Sequence, residues 1–298
     1  MAHIKPSVLL AYVLVVMIWS TTPITIQWSS QGVDFLFGIT ARMTIGTMLA
    51  VALCLWRYKK LPLHVTAIYV YSVSAMAVFG AMLIVYWGAQ YITSGLISVL
   101  FGFTPIITAF MAALLLKNEH LTGVKISGAL MGVAGLLIIF MDQLQLGHAV
   151  LLGIVAVLFS VFLHALSAVL IKRVDHQLSA INITAGGLLL SLPLFWLVYF
   201  LFAPPLPAFI PTKTLLSIVY LGVMGSLVGF VCFYYVLQHM AAGSVSLITL
   251  LTPVLALWIG YVFNHEVLDI MFAWGTVLVL SGLIWHQWGS RLLKKVLV

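Results

Sequence analysis

Ten apolar runs follow one another along this chain, near residues 7–28, 34–56, 67–88, 93–116, 123–141, 150–171, 180–202, 214–236, 243–263 and 269–288. Each is long enough for a helix to cross a bilayer core, which takes about 20 residues. Hydrocarbon offers no water to the backbone, so a lipid-exposed run of this kind is restricted to helix. The 298 residues are 64% hydrophobic and 6% charged, where a soluble domain carries about 25% charge. Almost nothing is left for a soluble domain. The chain is therefore predicted to be an all-α integral membrane protein with ten transmembrane helices.

The basic residues set the orientation. With ten spans both ends share one side, which holds Lys5, Arg57, Lys59, Lys60, Lys117, Lys125, Lys172, Arg173, Arg291, Lys294 and Lys295; the other side holds only Lys213. Short cytoplasmic loops collect Lys and Arg, so both termini are expected in the cytoplasm. The net charge of +7 then reports topology and contact with anionic membrane lipid; it needs no nucleic-acid partner. The first run lacks a small-residue cleavage site and reads as a retained span. Cys54 and Cys232 both lie in apolar runs and read as small core hydrophobes.

The chain also repeats itself. A shift of 148 carries Tyr86 onto Tyr234, Gln90 onto Gln238, Gly95 onto Gly243, Ser98 onto Ser246 and Thr104-Pro105 onto Thr252-Pro253. A shift of 147 then carries Glu119 onto Glu266, Gly128 onto Gly275 and Gly135 onto Gly282. These positions are polar, small or helix-breaking, which makes the register informative in so apolar a chain. Two five-helix repeats are expected, 1–147 and 148–298. Five is odd, so the second must cross the membrane in the opposite sense to the first. Inverted repeats of this kind enclose midplane sites in secondary transporters.

Three prolines mark candidate sites. Pro23, Pro105 and Pro253 each free the carbonyl four residues earlier, those of Trp19, Phe101 and Thr249. At about 1.5 Å per residue all three breaks fall near mid-bilayer. Ser98, Thr108, Ser246 and Thr249 add hydroxyls. The prolines either shape a binding region or merely kink the bundle. Arg42 is the only obvious charge inside a span; it either serves a function or snorkels outward. Tyr86 and Tyr234 are ligand-facing or interfacial anchors. His164 aligns with Trp19 between the repeats, and carries a proton, contacts substrate or bonds a neighbour. Glu119 and Glu266 precede the fifth and tenth spans, where they cap helices or take a gating or proton role. Small residues at Ser74, Ala77 and Ala81 recur as Gly222, Gly225 and Gly229, a close-packing seam. Gly128 and Gly132 make the fifth span a packing helix, and with the tenth a possible homodimer face.

This pattern resembles the EamA-type branch of the drug/metabolite transporter superfamily. It has two repeats, each with an aromatic residue plus Gly at the third-to-fourth turn, a midspan Pro, a Glu in the next loop and spaced glycines. Arg42 matches an Arg near the start of the family's second span. The resemblance implies a bacterial inner-membrane exporter of amino acids or related metabolites, with a cavity lined by the first, third, fourth, sixth, eighth and ninth spans. Carried over by position, the substrate-binding residues are Trp19, Tyr86, Phe101, Thr104, His164, Tyr234, Thr249 and Thr252. Small multidrug-resistance relatives exchange protons for cationic drugs through a carboxylate in the first span. Here Asp34, Glu119, Asp142, Asp175, Glu266 and Asp269 all lie at or outside span ends. A buried cation would lack a counter-ion, so a neutral, zwitterionic or anionic solute is expected. No metal spacing, Ser/His/Asp set or phosphate-binding glycine loop points to an enzyme, and no cofactor is expected. A lipid or lipid-carrier translocase and a non-transporting receptor or assembly subunit are the alternatives.

Overall fold

The computed structural model describes residues 5–116, 122–143, 147–202, 204–240, 245, 248–265 and 270–296. The helical segments in chain order are α1 (Pro6–Trp28), α2 (Phe35–Tyr58), α3 (Val65–Gly88), α4 (Ser94–Leu115), α5 (Gly123–Gln143), α6 (His148–Arg173), α7 (Ala180–Phe202), α8 (Thr212–His239), α9 (Ile248–Asn264) and α10 (Ile270–Val296). Among the described residues seven helices, α1 to α4 and α6 to α8, are long and apolar enough to span a membrane; α5, α9 and α10 contribute shorter apolar stretches. The outward surface is apolar, with Leu9, Met48, Trp56, Phe200 and Trp274 all exposed, as a lipid-facing surface requires.

Local chemistry sets the helix ends. Pro6 opens α1, where its missing N–H costs nothing. Asp34 caps α2, its carboxylate accepting from the Leu36 N–H at 2.8 Å. Thr93 caps α4 the same way through Leu96. Gly147, at φ +104°, turns the chain into α6, a conformation that glycine adopts without penalty.

Two helices change pitch. In α3 the segment Met76–Ala81 is π-helical, and in α8 so is Leu221–Val228. The shift of 148 carries the first segment onto residues 224–229, which overlap the second. Such wide turns occur mostly at functional sites, and both flank the central cavity described below.

The helix α4 breaks at Gly102-Phe103 and restarts at Thr104. Its counterpart α9 runs unbroken through Pro253. The second repeat has Leu250 where the first has Gly102, so proline alone leaves α9 continuous while the Gly and Pro together interrupt α4. The two helices meet here, since a Cβ on Gly102 would lie 3.6 Å from the Pro253 ring.

One buried apolar cluster is built from α1, α2, α3, α7 and α8, and a second from α4, α6 and α10. The helices α5 and α10 pack on each other over their length. A Cβ on Gly128 would lie 2.6 Å from the Gly282 carbonyl oxygen, and one on Gly135 2.6 Å from that of Gly275. Residue numbers rise along one helix as they fall along the other, so the pair is antiparallel. The face of α5 that carries Gly128 and Gly135 is thus packed against α10 within the chain. Glu119 and Glu266, with Gly243 and Ser246, lie outside the described residues.

Candidate functional site

The face of α1 that repeats at helical spacing, Trp19, Thr22, Pro23 and Ile26, lines a central cavity of about 60 Å³. The opposing walls come from Ser98 and Phe101 of α4, His164 of α6, Gly225 and Phe230 of α8, and Thr249 and Thr252 of α9. Arg42 adds α2 to the wall, a helix that the expected set of lining spans lacked. A second chamber of about 20 Å³ lies toward the Lys- and Arg-rich face, lined by Thr104, Thr108, Ala168, Phe233 and Leu237. Trp19, His164 and Thr249 border both chambers and form the partition between them.

That partition is aromatic. The Trp19 and His164 rings meet edge to face with centroids 5.4 Å apart, and Phe233 packs 5.0 Å from Trp19 and 5.2 Å from His164. Phe101 closes the group, 6.4 Å from His164. Offset and edge contacts at these distances are the favourable aromatic geometries. The indole fits because α8 has glycine at 229, where a Cβ would lie 3.2 Å from the Trp19 nitrogen. His164 is 4% exposed, and its Nδ1 has no hydrogen-bond partner among the described residues.

Arg42 points inward. It is 1% exposed, its Nε donates to Ser226 Oγ at 3.0 Å, and Nη1 reaches the Tyr86 hydroxyl at 3.4 Å. The outward-snorkelling alternative is therefore wrong. Ser226 sits on the π-helical segment of α8, and the close approach of Gly46 and Ser226 brings α2 against that segment. Tyr86 also accepts from Ser29 Oγ at 3.3 Å.

The remaining expected residues divide. Phe101, His164, Thr249, Thr252 and Trp19 border the main cavity, and Thr104 the smaller one. Tyr86 and Tyr234 are both buried, so neither is an interfacial anchor. Tyr86 supports Arg42. Tyr234 pairs with Ser74 at 2.8 Å and lines a vestibule of about 440 Å³ at the basic face. Of the prolines, Pro23 lines the cavity, while Pro105 and Pro253 shape its walls. The Phe101 carbonyl freed by Pro105 is not vacant, because Thr104 Oγ1 donates to it at 2.6 Å. The hydroxyls of Ser20, Thr22 and Thr25 likewise donate to their own helix. Phe233 and Ser226 were missed. Phe233 had no counterpart signal, since the register pairs it with Val85. Ser226 lay unremarked among the glycines at 222, 225 and 229.

The face opposite the basic residues is closed by hydrogen bonds. Gln27 Nε2 donates to the Ile92 carbonyl at 2.8 Å, Asn264 Nδ2 donates to Gln27 Oε1 at 3.3 Å, and Trp28 Nε1 donates to Asn264 Oδ1 at 3.2 Å. This joins α1, the α3–α4 turn and α9. Toward the basic face, Leu237 is the one described residue that borders both the small chamber and the vestibule.

Comparison with known proteins fits this arrangement. The profile of the EamA-like transporter family matches twice, at residues 6–141 and 151–286. The uncharacterized transporter YoaV of Bacillus subtilis (strain 168) is 25% identical over 93% of this chain and 95% of its own length. An uncharacterized transporter of Archaeoglobus fulgidus is 28% identical over 91% of this chain and 95% of its own. A Streptantibioticus cattleyicolor protein named "Probable terminal-alkyne amino-acid exporter" is 27% identical over 66% of this chain and 65% of its own. A solved structure titled "Crystal structure of protein" shares the fold, with a TM-score of 0.71 and 19% identity, over 98% of this chain and 100% of that one.

Proposed function

We propose that this chain, which belongs to the EamA-like transporter family, exports a small amino acid or related zwitterionic or anionic metabolite by alternating access around the central cavity. Members of the family are transporters rather than enzymes, and the chain is a multi-pass membrane protein. In this reading it crosses a bacterial cytoplasmic membrane ten times, as two inverted five-helix repeats, with both ends in the cytoplasm. One observation carries the proposal: a cavity enclosed among seven helices, with a guanidinium, aromatic rings and hydroxyls on its wall and no acidic side chain among the described lining residues. The likeness to a relative named as an amino-acid exporter supports the substrate class.

A volume of about 60 Å³ is far below the roughly 300–1,000 Å³ of small-molecule sites. Loading therefore requires helices to part. Separation on the basic side needs Leu237 to move, and separation on the other needs the Gln27 bonds to break. Passage from the basic side into the main cavity also needs the Trp19–His164 partition to give way.

Counterflow of a radiolabelled amino-acid panel into proteoliposomes tests the reading, with Trp19→Ala and Thr104→Ala alongside. Saturable uptake that fails in the variants supports it. Flat traces across the panel with folded protein sink it.

One observation favours a second reading, a lipid translocase. A lateral groove of about 590 Å³ runs between α1, α8 and α9, lined by Trp28, Tyr220, Trp258 and Phe263, with Lys213 at one end. A Thr21–Tyr220 hydroxyl contact of 2.6 Å ties α1 to α8 beside it. Movement of a fluorescent phospholipid between leaflets, without amino-acid counterflow, would favour this alternative.

A further inference from the structure

We propose that the central site prefers a monocarboxylate anion with an apolar body over the matching zwitterion, that Arg42 is its carboxylate ligand, and that an inside-negative membrane potential drives its export. The proposal rests on the transporter reading above and narrows its substrate class.

The charge of Arg42 is not neutralised by its neighbours. Its polar partners among the described residues, Ser226 and Tyr86, are hydroxyls, and the Tyr86 ring lies 5.8 Å from the guanidinium carbon. A guanidinium carries five N–H groups, and the recorded bonds come from Nε and Nη1. The second terminal nitrogen, Nη2, lies beside Gly225, where a Cβ would come within 3.1 Å of it. Gly225 and Arg42 both border the cavity, so the missing side chain at 225 is what leaves the guanidinium room at the wall. A buried charge with only neutral partners is costly. The cavity of about 60 Å³ has room for about four waters at roughly 15 Å³ each, too few for a full hydration shell. A ligand carboxylate supplies the missing charge and two acceptors in the planar geometry that a guanidinium fits.

An ammonium finds much less. The described residues lining the cavity include no Asp or Glu. The Ser98 and Thr22 hydroxyls spend their protons on the Ser94 and Ile18 carbonyls, so towards an ammonium they offer neutral oxygen lone pairs and no balancing charge. The carbonyl that the α4 break releases, that of Phe101, is already taken by Thr104. Where a broken helix would offer bare carbonyls to a cation, this one is capped. The rest of the wall is apolar, with Trp19, Val85, Ile97, Phe101 and Phe230. The complementary ligand is thus negative at one end and hydrocarbon or aromatic elsewhere. Moving such an anion outward carries one negative charge down an inside-negative potential, so export needs no exchanged proton. A zwitterion moves no net charge and gains nothing from that potential.

The test compares three molecules of one shape in proteoliposomes at pH 6.5, where an α-amino group with a pKa of about 7.7–8.0 is protonated: 4-methyl-2-oxopentanoate (anion), L-leucine (zwitterion) and L-leucinamide (cation). Efflux is read with protein-free liposomes subtracted, and with potassium–valinomycin potentials of either sign. The oxo acid is expected to leave about tenfold or more faster than leucine, the difference that one charged hydrogen-bonding interaction makes. Inside-negative potential should speed it, inside-positive should slow it, and leucinamide should stay. Arg42→Met should remove the preference, and Arg42→Lys should keep its order at a lower rate. Leucine moving as fast as the oxo acid, or oxo-acid efflux that ignores the potential, overturns the proposal while leaving an amino-acid transporter standing. The wild-type comparison decides even where Arg42→Met does not fold. If none of the three moves through folded protein, the transporter reading and this inference fall together.

Discussion

Gly128 of α5 and Gly282 of α10 meet backbone to backbone, so that a Cβ built on either would lie 2.6 Å from the carbonyl oxygen of the other. The repeat register carries Gly128 to Gly275 and Gly282 back to Gly135, and those two meet in the same way. One contact is therefore written twice, as a twofold relation between antiparallel helices demands. A methyl group here presses on backbone, which cannot rotate aside. Gly128→Ala and Gly282→Ala should each cost about 1–3 kcal/mol, read as lowered thermal stability in detergent. The double variant should cost less than the sum, because the first methyl already spreads the helices that the second would strain. Full additivity, or two neutral singles, would show that the seam is looser than this geometry.

How much of this was legible depends on what each feature needs. The match of Gly128 to Gly275 and of Gly135 to Gly282 was readable from the repeat register, and the structure sets these glycines of α5 and α10 against one another in antiparallel order. The meeting of Trp19 and His164 was readable as alignment: equivalent residues near a twofold axis touch. The direction of Arg42 was not, because it is decided by Ser226, 184 residues away, and by Tyr86. The capture of the Phe101 carbonyl by Thr104 depends on how far Gly102 lets the helix open, and the π-helical turns depend on packing that no local pattern encodes.

The hold on Arg42 should be graded by distance. Ser226→Ala removes the 3.0 Å acceptor and leaves a buried N–H unmet, a loss of about 1–3 kcal/mol. Tyr86→Phe removes the longer 3.4 Å contact and should cost less through Arg42, although it also removes the 3.3 Å contact with Ser29, whose hydroxyl keeps the Ile26 carbonyl. Thermal unfolding of both variants in an Arg42→Met background checks the assignment. The Ser226→Ala penalty should shrink there, since the donor is gone; an unchanged penalty would mean that Ser226 acts through packing against Gly46.

The bonds at Gln27 set which face is closed. Gln27→Ala deletes two of them, each worth about 0.5–1.5 kcal/mol, and so shifts the closed-to-open ratio roughly five- to a hundredfold. The readout is a cysteine at the cavity wall, Thr22→Cys, with Cys54 and Cys232 replaced. A membrane-impermeant maleimide applied from the face opposite the basic residues should label it faster by that factor when Gln27→Ala is added. Equal labelling rates would mean that the closure resides in helix packing instead.

His176 lies outside the helices, in the α6–α7 connection beside the basic-face vestibule. Burial pushes its pKa below the ordinary value near 6.5; the Asp175 carboxylate opposes this and the Lys172 ammonium adds to it. Its Nδ1 has no hydrogen-bond partner among the described residues, so only the Asp175 carboxylate rewards a second proton, and burial outweighs it. The sign follows from proton counting. Above pH 6.5 the ring is neutral in folded and unfolded chains alike, and stability does not respond to it. As pH falls below 6.5 the unfolded chain takes up a proton that the folded chain refuses, and stability drops until the lowered folded value is passed. Thermal unfolding between pH 8 and pH 5 should therefore show a decline below about 6.5 that is shallower in His176→Gln. Parallel curves for the two proteins would place the acid sensitivity elsewhere.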